Sequence, residues 1–73
     1  MTNEERRLLQ MLAGSADGST DALLAAYGFT VALMVDVVSA GLATAIADRV
    51  YAAGKPVEVT RVRITDAGRR ALA

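Results

Sequence analysis

The chain has 73 residues, 53% of them apolar, with eight basic and eight acidic side chains and a formal net charge of zero. It contains no cysteine and no histidine, which excludes a disulfide framework, a thiolate nucleophile, Cys-based metal sites and histidine acid–base chemistry. A chain this short is expected to form one domain, residues 1–73. Such a domain buries only about 60% of its unfolded surface, so stability must come from packed aliphatic side chains or a partner chain.

In chain order, Thr2-Asn3-Glu4-Glu5 fits a capping box, with Thr2 accepting from the Glu5 amide and Glu5 reaching back. Leu8, Leu9, Met11 and Leu12 follow at helical spacing, and Gly14 suits a left-handed cap, so a helix is predicted over 3–13. Ser15-Ala16-Asp17-Gly18 is turn chemistry. Ser19 or Thr20 caps a second, short helix running to Ala26, with Asp21 in its first turn, and Tyr27-Gly28-Phe29 breaks it. Thr30 caps a third helix from Val31 to about Ala40. Gly41 ends it, and Leu42 packs back as after a Schellman cap. This helix is apolar around most of its circumference, its least apolar strip being Ala32, Val35, Asp36 and Ser39.

Ala45 to Tyr51 predicts a strand, Ala53-Gly54-Lys55-Pro56 a turn, and Val57 to Ile64 a second strand, in which Arg61 and Arg63 alternate with Val62 and Ile64. Thr65 then caps a last helix, Asp66 to Leu72. The fold class is therefore α+β: three helices, a β-hairpin and a short C-terminal helix.

From Ala22 to Ala47 the only charge is Asp36. The run is long enough to span a bilayer, but a central carboxylate costs about 2.5–3.5 kcal/mol, and Gly28 and Gly41 punctuate it. The first residues read acidic then basic, with no apolar stretch of signal-peptide length behind them. A cytoplasmic chain outside the membrane is expected. No enzyme, metal, cofactor or small-molecule substrate is expected either. Gly14 to Thr20 has too few residues between its glycines for a phosphate loop and no lysine. The carboxylates are scattered, the serines lack a histidine, and the single lysine, Lys55, falls on a turn.

Two segments carry a family resemblance. Val37-Val38-Ser39-Ala40-Gly41-Leu42-Ala43 resembles the end of a recognition helix entering a wing strand. Arg61-Val62-Arg63-Ile64-Thr65-Asp66-Ala67-Gly68-Arg69-Arg70-Ala71-Leu72 is similar to the Ile/Leu-Thr-x-x-Gly-x-x-x-Leu run of MarR-like and PadR-like bacterial regulators. The resemblance implies a small winged-helix-like domain whose third helix would enter the DNA major groove. It implies candidate nucleic-acid contacts at Thr30 and Ser39 on that helix and at Arg49, Lys55, Arg61 and Arg63 on the wing.

The residues argue against base reading. The third helix has no basic side chain and carries Asp36, whereas readout needs donors and acceptors that match base edges. Residues 1–48 hold two basic and six acidic side chains, a net of −4, and residues 49–73 the reverse, +4. A basic wing could grip phosphates with little sequence preference; alternatively its arginines only keep an edge strand from aggregating. The expected role is a non-enzymatic binding module for protein association, with itself or a partner, and a degenerate DNA-reading helix. A small transcriptional regulator holding the DNA backbone is the alternative. A helix apolar nearly all round must bury its spare face. Val31, Met34, Val35 and Val38 are the candidate protein interface, or else all four are internal.

Overall fold

Four threonines open the four helices of the computed structural model, which describes residues 1–73. The Thr2 hydroxyl accepts from the Glu5 N–H at 3.1 Å and starts α1, Asn3–Ala13. Thr20 accepts from Leu23 at 3.2 Å and starts α2, Asp21–Ala26. Thr30 accepts from Leu33 at 3.1 Å and starts α3, Val31–Ser39. Thr65 accepts from Gly68 at 3.1 Å and starts α4, Asp66–Leu72. Each cap satisfies an amide that the first turn leaves without a partner, worth about 1 kcal/mol. At α1 the Glu5 carboxylate also accepts from the Thr2 N–H, closing the capping box.

The C-terminal ends of α2 and α3 use one device. Gly41 has φ +76°, its N–H donates to the Val38 carbonyl, and the Leu42 N–H donates to Val37. Gly28, at φ +91°, does the same, with Phe29 donating to Leu24. This Schellman geometry turns the chain sharply and throws the next apolar residue back onto the core, so Phe29 is buried and Leu42 packs against the core cluster. Gly14 departs from the expectation: it stays right-handed, at φ −81°. The end of α1 tightens instead through Gly14 to Met11 and Ser15 to Leu12 hydrogen bonds.

The sheet has three antiparallel strands in the order β1-β3-β2, where β1 is Ser19–Thr20, β2 Ala43–Ala52 and β3 Lys55–Ile64. Two residues carry no alternation, so the sequence marks Ser19 and Thr20 only as caps and not as a strand. Thr20 does both jobs, pairing with Arg61 and capping α2. The hairpin is longer than predicted: β2 begins at Ala43 rather than Ala45, and Lys55 and Pro56 belong to β3 rather than to the turn. Only Ala53 and Gly54 connect the strands. Both have positive φ, 52° and 78°, as the two-residue type I′ hairpin turn requires.

The core lies between the helices and the base of the sheet. Leu8, Leu9 and Leu12 from α1, Leu24, Phe29, the inner face of α3, Ala43 and Val62 form one buried cluster. Beyond that base the hairpin runs out into solvent, giving a molecule about 40 Å long and 22 Å wide. The 22–47 segment weighed above as a membrane span is divided among α2, α3 and the start of β2, and no helix is long and apolar enough to cross a membrane.

Two substitutions test this account. A Cβ on Gly68 would collide with the Leu42 carbonyl oxygen, so Gly68→Ala is expected to lose about 1–3 kcal/mol in urea unfolding, although helix propensity alone favours alanine. Ala53→Asn should instead raise the urea midpoint, because asparagine tolerates the left-handed region where alanine is strained.

Candidate interaction surface

Helical periodicity divides α3 into two faces. Leu33, Met34 and Val37 are buried. Ala32, Asp36 and Ser39 are exposed, as are Val31 and Val35, which remain 70% and 55% exposed. The four candidate interface residues are therefore not equivalent. Met34 belongs to the core, Val38 is half-buried against it, and Val31 and Val35 face outward. The least polar part of the exposed strip is its N-terminal half.

A shallow groove of about 230 Å³ runs between α3 and the sheet. Val31, Met34, Val35 and Val38 form its helical wall, and Ala45, Thr60 and Val62 its strand wall. Asp21 and Ser39 complete the lining. Asp21 is held in place by its own role at the start of α2: its carboxylate accepts from the Ala22 N–H at 2.9 Å and the Thr60 N–H at 3.4 Å. No basic side chain lines the groove, and neither Asp21 nor the exposed Asp36 takes part in an ion pair.

The hairpin register decides which side each charged residue occupies. Directly paired residues and alternate residues along a strand share a face. Ala45, Ala47, Arg49 and Tyr51, opposite Val62, Thr60, Glu58 and Pro56, therefore continue the α3 side of the sheet. Ile46, Asp48 and Val50 lie on the reverse, with Arg61, Val59 and Val57 opposite them, and Arg63 and Lys55 follow on the same side.

The six candidate nucleic-acid contacts thus fall into two groups. Thr30, Ser39 and Arg49 stand on the α3 side, while Lys55, Arg61 and Arg63 stand on the reverse. Several are already engaged. The Thr30 hydroxyl caps α3. Arg49 lies 3.6 Å from Glu58, both well exposed. Arg61 Nε donates to Asp48 Oδ2 at 2.8 Å, and Arg63 Nη2 reaches the Ala16 carbonyl at 3.4 Å. Only Lys55, the first residue of β3, and Ser39, at the end of α3, make no side-chain hydrogen bond or ion pair.

Sequence reasoning did not single out the exposed apolar side chains of the hairpin. Tyr51 is 73% exposed near the hairpin tip, and Ile46 and Val57 stand out on the reverse face. Their residue types signal strand but not that the strand outruns its core. The sequence marks Asp21 only as a first-turn acid; its place in the groove depends on where β3 passes.

Comparison of the chain with protein-family models, curated proteins and solved structures finds no match in any of the three. The helices, hairpin and C-terminal helix make an α+β domain compatible with a winged-helix layout.

The Arg61–Asp48 contact has a titration signature. The hydrogen bond from Arg61, then that from the Arg49 N–H, holds the Asp48 carboxyl below its ordinary value. A carboxylate depressed in the folded state stabilises above its unfolded pKa, and that contribution is lost as pH falls through the folded value. Arg61→Ala is expected to move the Asp48 titration, followed by carboxyl-carbon NMR, back up toward the ordinary range and to remove this part of the acid-side loss of stability.

Proposed function

We propose that this chain is a non-enzymatic winged-helix binding module that associates with protein, a second copy or another chain, through the outward face of α3. The observation that carries the reading is the composition of that face. Where a winged helix presents base-reading side chains, this one presents Val31 and Val35, 70% and 55% exposed, with Ala32, Asp36 and Ser39. Valine and alanine could contact only a thymine methyl, and the carboxylate repels phosphate. An apolar strip beside an apolar groove instead gains free energy when another apolar surface excludes water from it, at about 25 cal/mol per Å².

A second reading, a regulator gripping the DNA backbone through the hairpin, is favoured by Arg49, Lys55, Arg61 and Arg63 all lying on β2 and β3. Their division between two faces weakens it. A duplex lying against α3 would meet Arg49, which sits beside Glu58, and would have Arg61 and Arg63 behind the sheet.

Fluorescence anisotropy of labelled random duplex DNA separates the two. On the protein-association reading, anisotropy stays flat on titration at low salt. Binding that falls steeply with salt, and that weakens when Arg61 and Arg63 are both replaced by alanine, would overturn it in favour of the backbone grip.

A further inference from the structure

We infer that the outer edge of β2 is a self-association site, where Thr44 to Asp48 pairs antiparallel with the same segment of a second copy about a two-fold axis at Ile46. The site is a strand edge, independent of the outward face of α3.

The hairpin hydrogen bonds show which backbone groups are free. Antiparallel residues alternate between bonding their partner and pointing away from it. The Thr65 N–H donates to the Leu42 carbonyl at 3.1 Å, one rung beyond the Ala43–Ile64 pair. The Thr60 N–H, opposite Ala47, turns away from β2 to Asp21 at 3.4 Å. The even-numbered residues of β2 therefore bond β3, and the N–H and C=O groups of Ala45 and Ala47 point to the open side.

The two edges of the sheet differ. On the β3 side Pro56 offers no N–H, Asp21 takes that of Thr60, and Val62 pairs with Ser19 of β1. β2 is the last strand on its own side. Proline, lysine and bulges are devices that keep an edge from pairing. β2 runs ten residues with no proline or lysine, and its register to β3 is one-for-one throughout, without a bulge. Its two charges do not substitute for them. Asp48 bonds Arg61 and Arg49 lies beside Glu58, both across the ladder on β3 and away from the free edge. Thr44 to Asp48 are all exposed.

This stretch is complementary to itself. In an antiparallel pair centred on Ile46, Ala45 lies opposite Ala47 of the second copy, and the two exchange both backbone hydrogen bonds. Ile46, 52% exposed and outside the core cluster, meets the second Ile46. The Thr44 hydroxyl meets the Asp48 carboxylate on the same face. Other centres fit less well. Centred on Ala47, the pair sets Ile46 against Asp48; centred on Asp48 or Arg49, it sets like charges directly opposite, which is destabilising. An axis perpendicular to the sheet closes the assembly as a dimer, with one continuous sheet and both α3 helices on the same side of it.

Because the chain has no cysteine, single cysteines report the register. Position 46 faces itself, and 44 faces 48, at non-hydrogen-bonded sites with Cα atoms about 4.5 Å apart, within disulfide reach. Two copies of position 44, or of position 48, stand about 13 Å or more apart. Under mild oxidation Ile46→Cys is expected to form a disulfide dimer, and Thr44→Cys mixed with Asp48→Cys a heterodisulfide that exceeds either homodisulfide. In the linked Ile46→Cys dimer, amide exchange at Ala45 and Ala47 should be at least about tenfold slower than in the reduced chain, with Tyr51 unchanged. By NMR diffusion the unaltered chain should dimerise at millimolar concentration. Ala47→Pro, which removes an N–H that β3 does not use, should weaken that dimer at least about tenfold, and Val35→Glu on α3 should leave it unchanged. A chain monomeric at millimolar concentration, a homodisulfide at 48 as abundant as that at 46, or unslowed exchange at Ala45 and Ala47 overturns the edge pairing. So does a dimer that Val35→Glu disrupts and Ala47→Pro does not, which assigns self-association to α3 instead.

Discussion

The burial of Val62 in the middle strand is the constraint on which the other elements depend. Its backbone pairs with Ser19 on one side and Ala45 on the other, and its side chain is almost wholly inside the leucine cluster of α1 and α2. Because strand side chains alternate, fixing Val62 inward fixes Ile64 and Thr60 on the same side and Arg61 and Arg63 on the other. The register of the hairpin follows, and with it the division of charge between its faces. Close packing then extends to the chain's last helix: the Thr65 N–H and hydroxyl donate to Leu42 and Gly41, leaving room beside the Leu42 carbonyl only for a glycine at 68.

This arrangement explains why α3 has an apolar face to spare. Only Leu33, Met34 and Val37 fit between the helix and the rest of the core. In 73 residues no further element covers the opposite side, so Val31 and Val35 remain in water. The same shortage of material acts on the hairpin. Of β2 only Ala43 is fully buried. Ten paired rungs are more than the core needs, and the excess projects with Tyr51 and Val57 uncovered. The apolar helix face and the apolar ribbon tip thus have one cause, a core too small to cover both.

Much of the fold was legible because its punctuation is local chemistry. The threonines at 2, 20, 30 and 65 and the glycines at 28 and 41 act within four residues of themselves, and the sequence shows those neighbours directly. The strand alternation around Val62 was readable for the same reason. What escaped depends on distant partners. β1 exists because β3 passes beside Ser19 and Thr20. The two-residue turn holds Ala53 at positive φ, which its side chain does not advertise. The outward strip of α3 could be named from the helical period, but Met34 could be separated from Val31 and Val35 only once the position of the core was known.

The contrast between an acidic first part and a basic last part also changes meaning in three dimensions. As a string, residues 49–73 promise a cationic surface. Folded, antiparallel pairing brings Arg61 against Asp48 of the acidic part across the hairpin, and Arg49 against Glu58 within the basic part itself. Arg63 donates to the Ala16 carbonyl just after α1 and Arg69 to the Ala13 carbonyl at its end, and Arg7 sits 5.8 Å from the centre of the Phe29 ring. The cations are spent largely within the molecule. The charges left without an ion pair near the groove are the acids Asp21 and Asp36, which repel phosphate. The proposed association with protein rests on that distribution of charge together with the outward valines of α3.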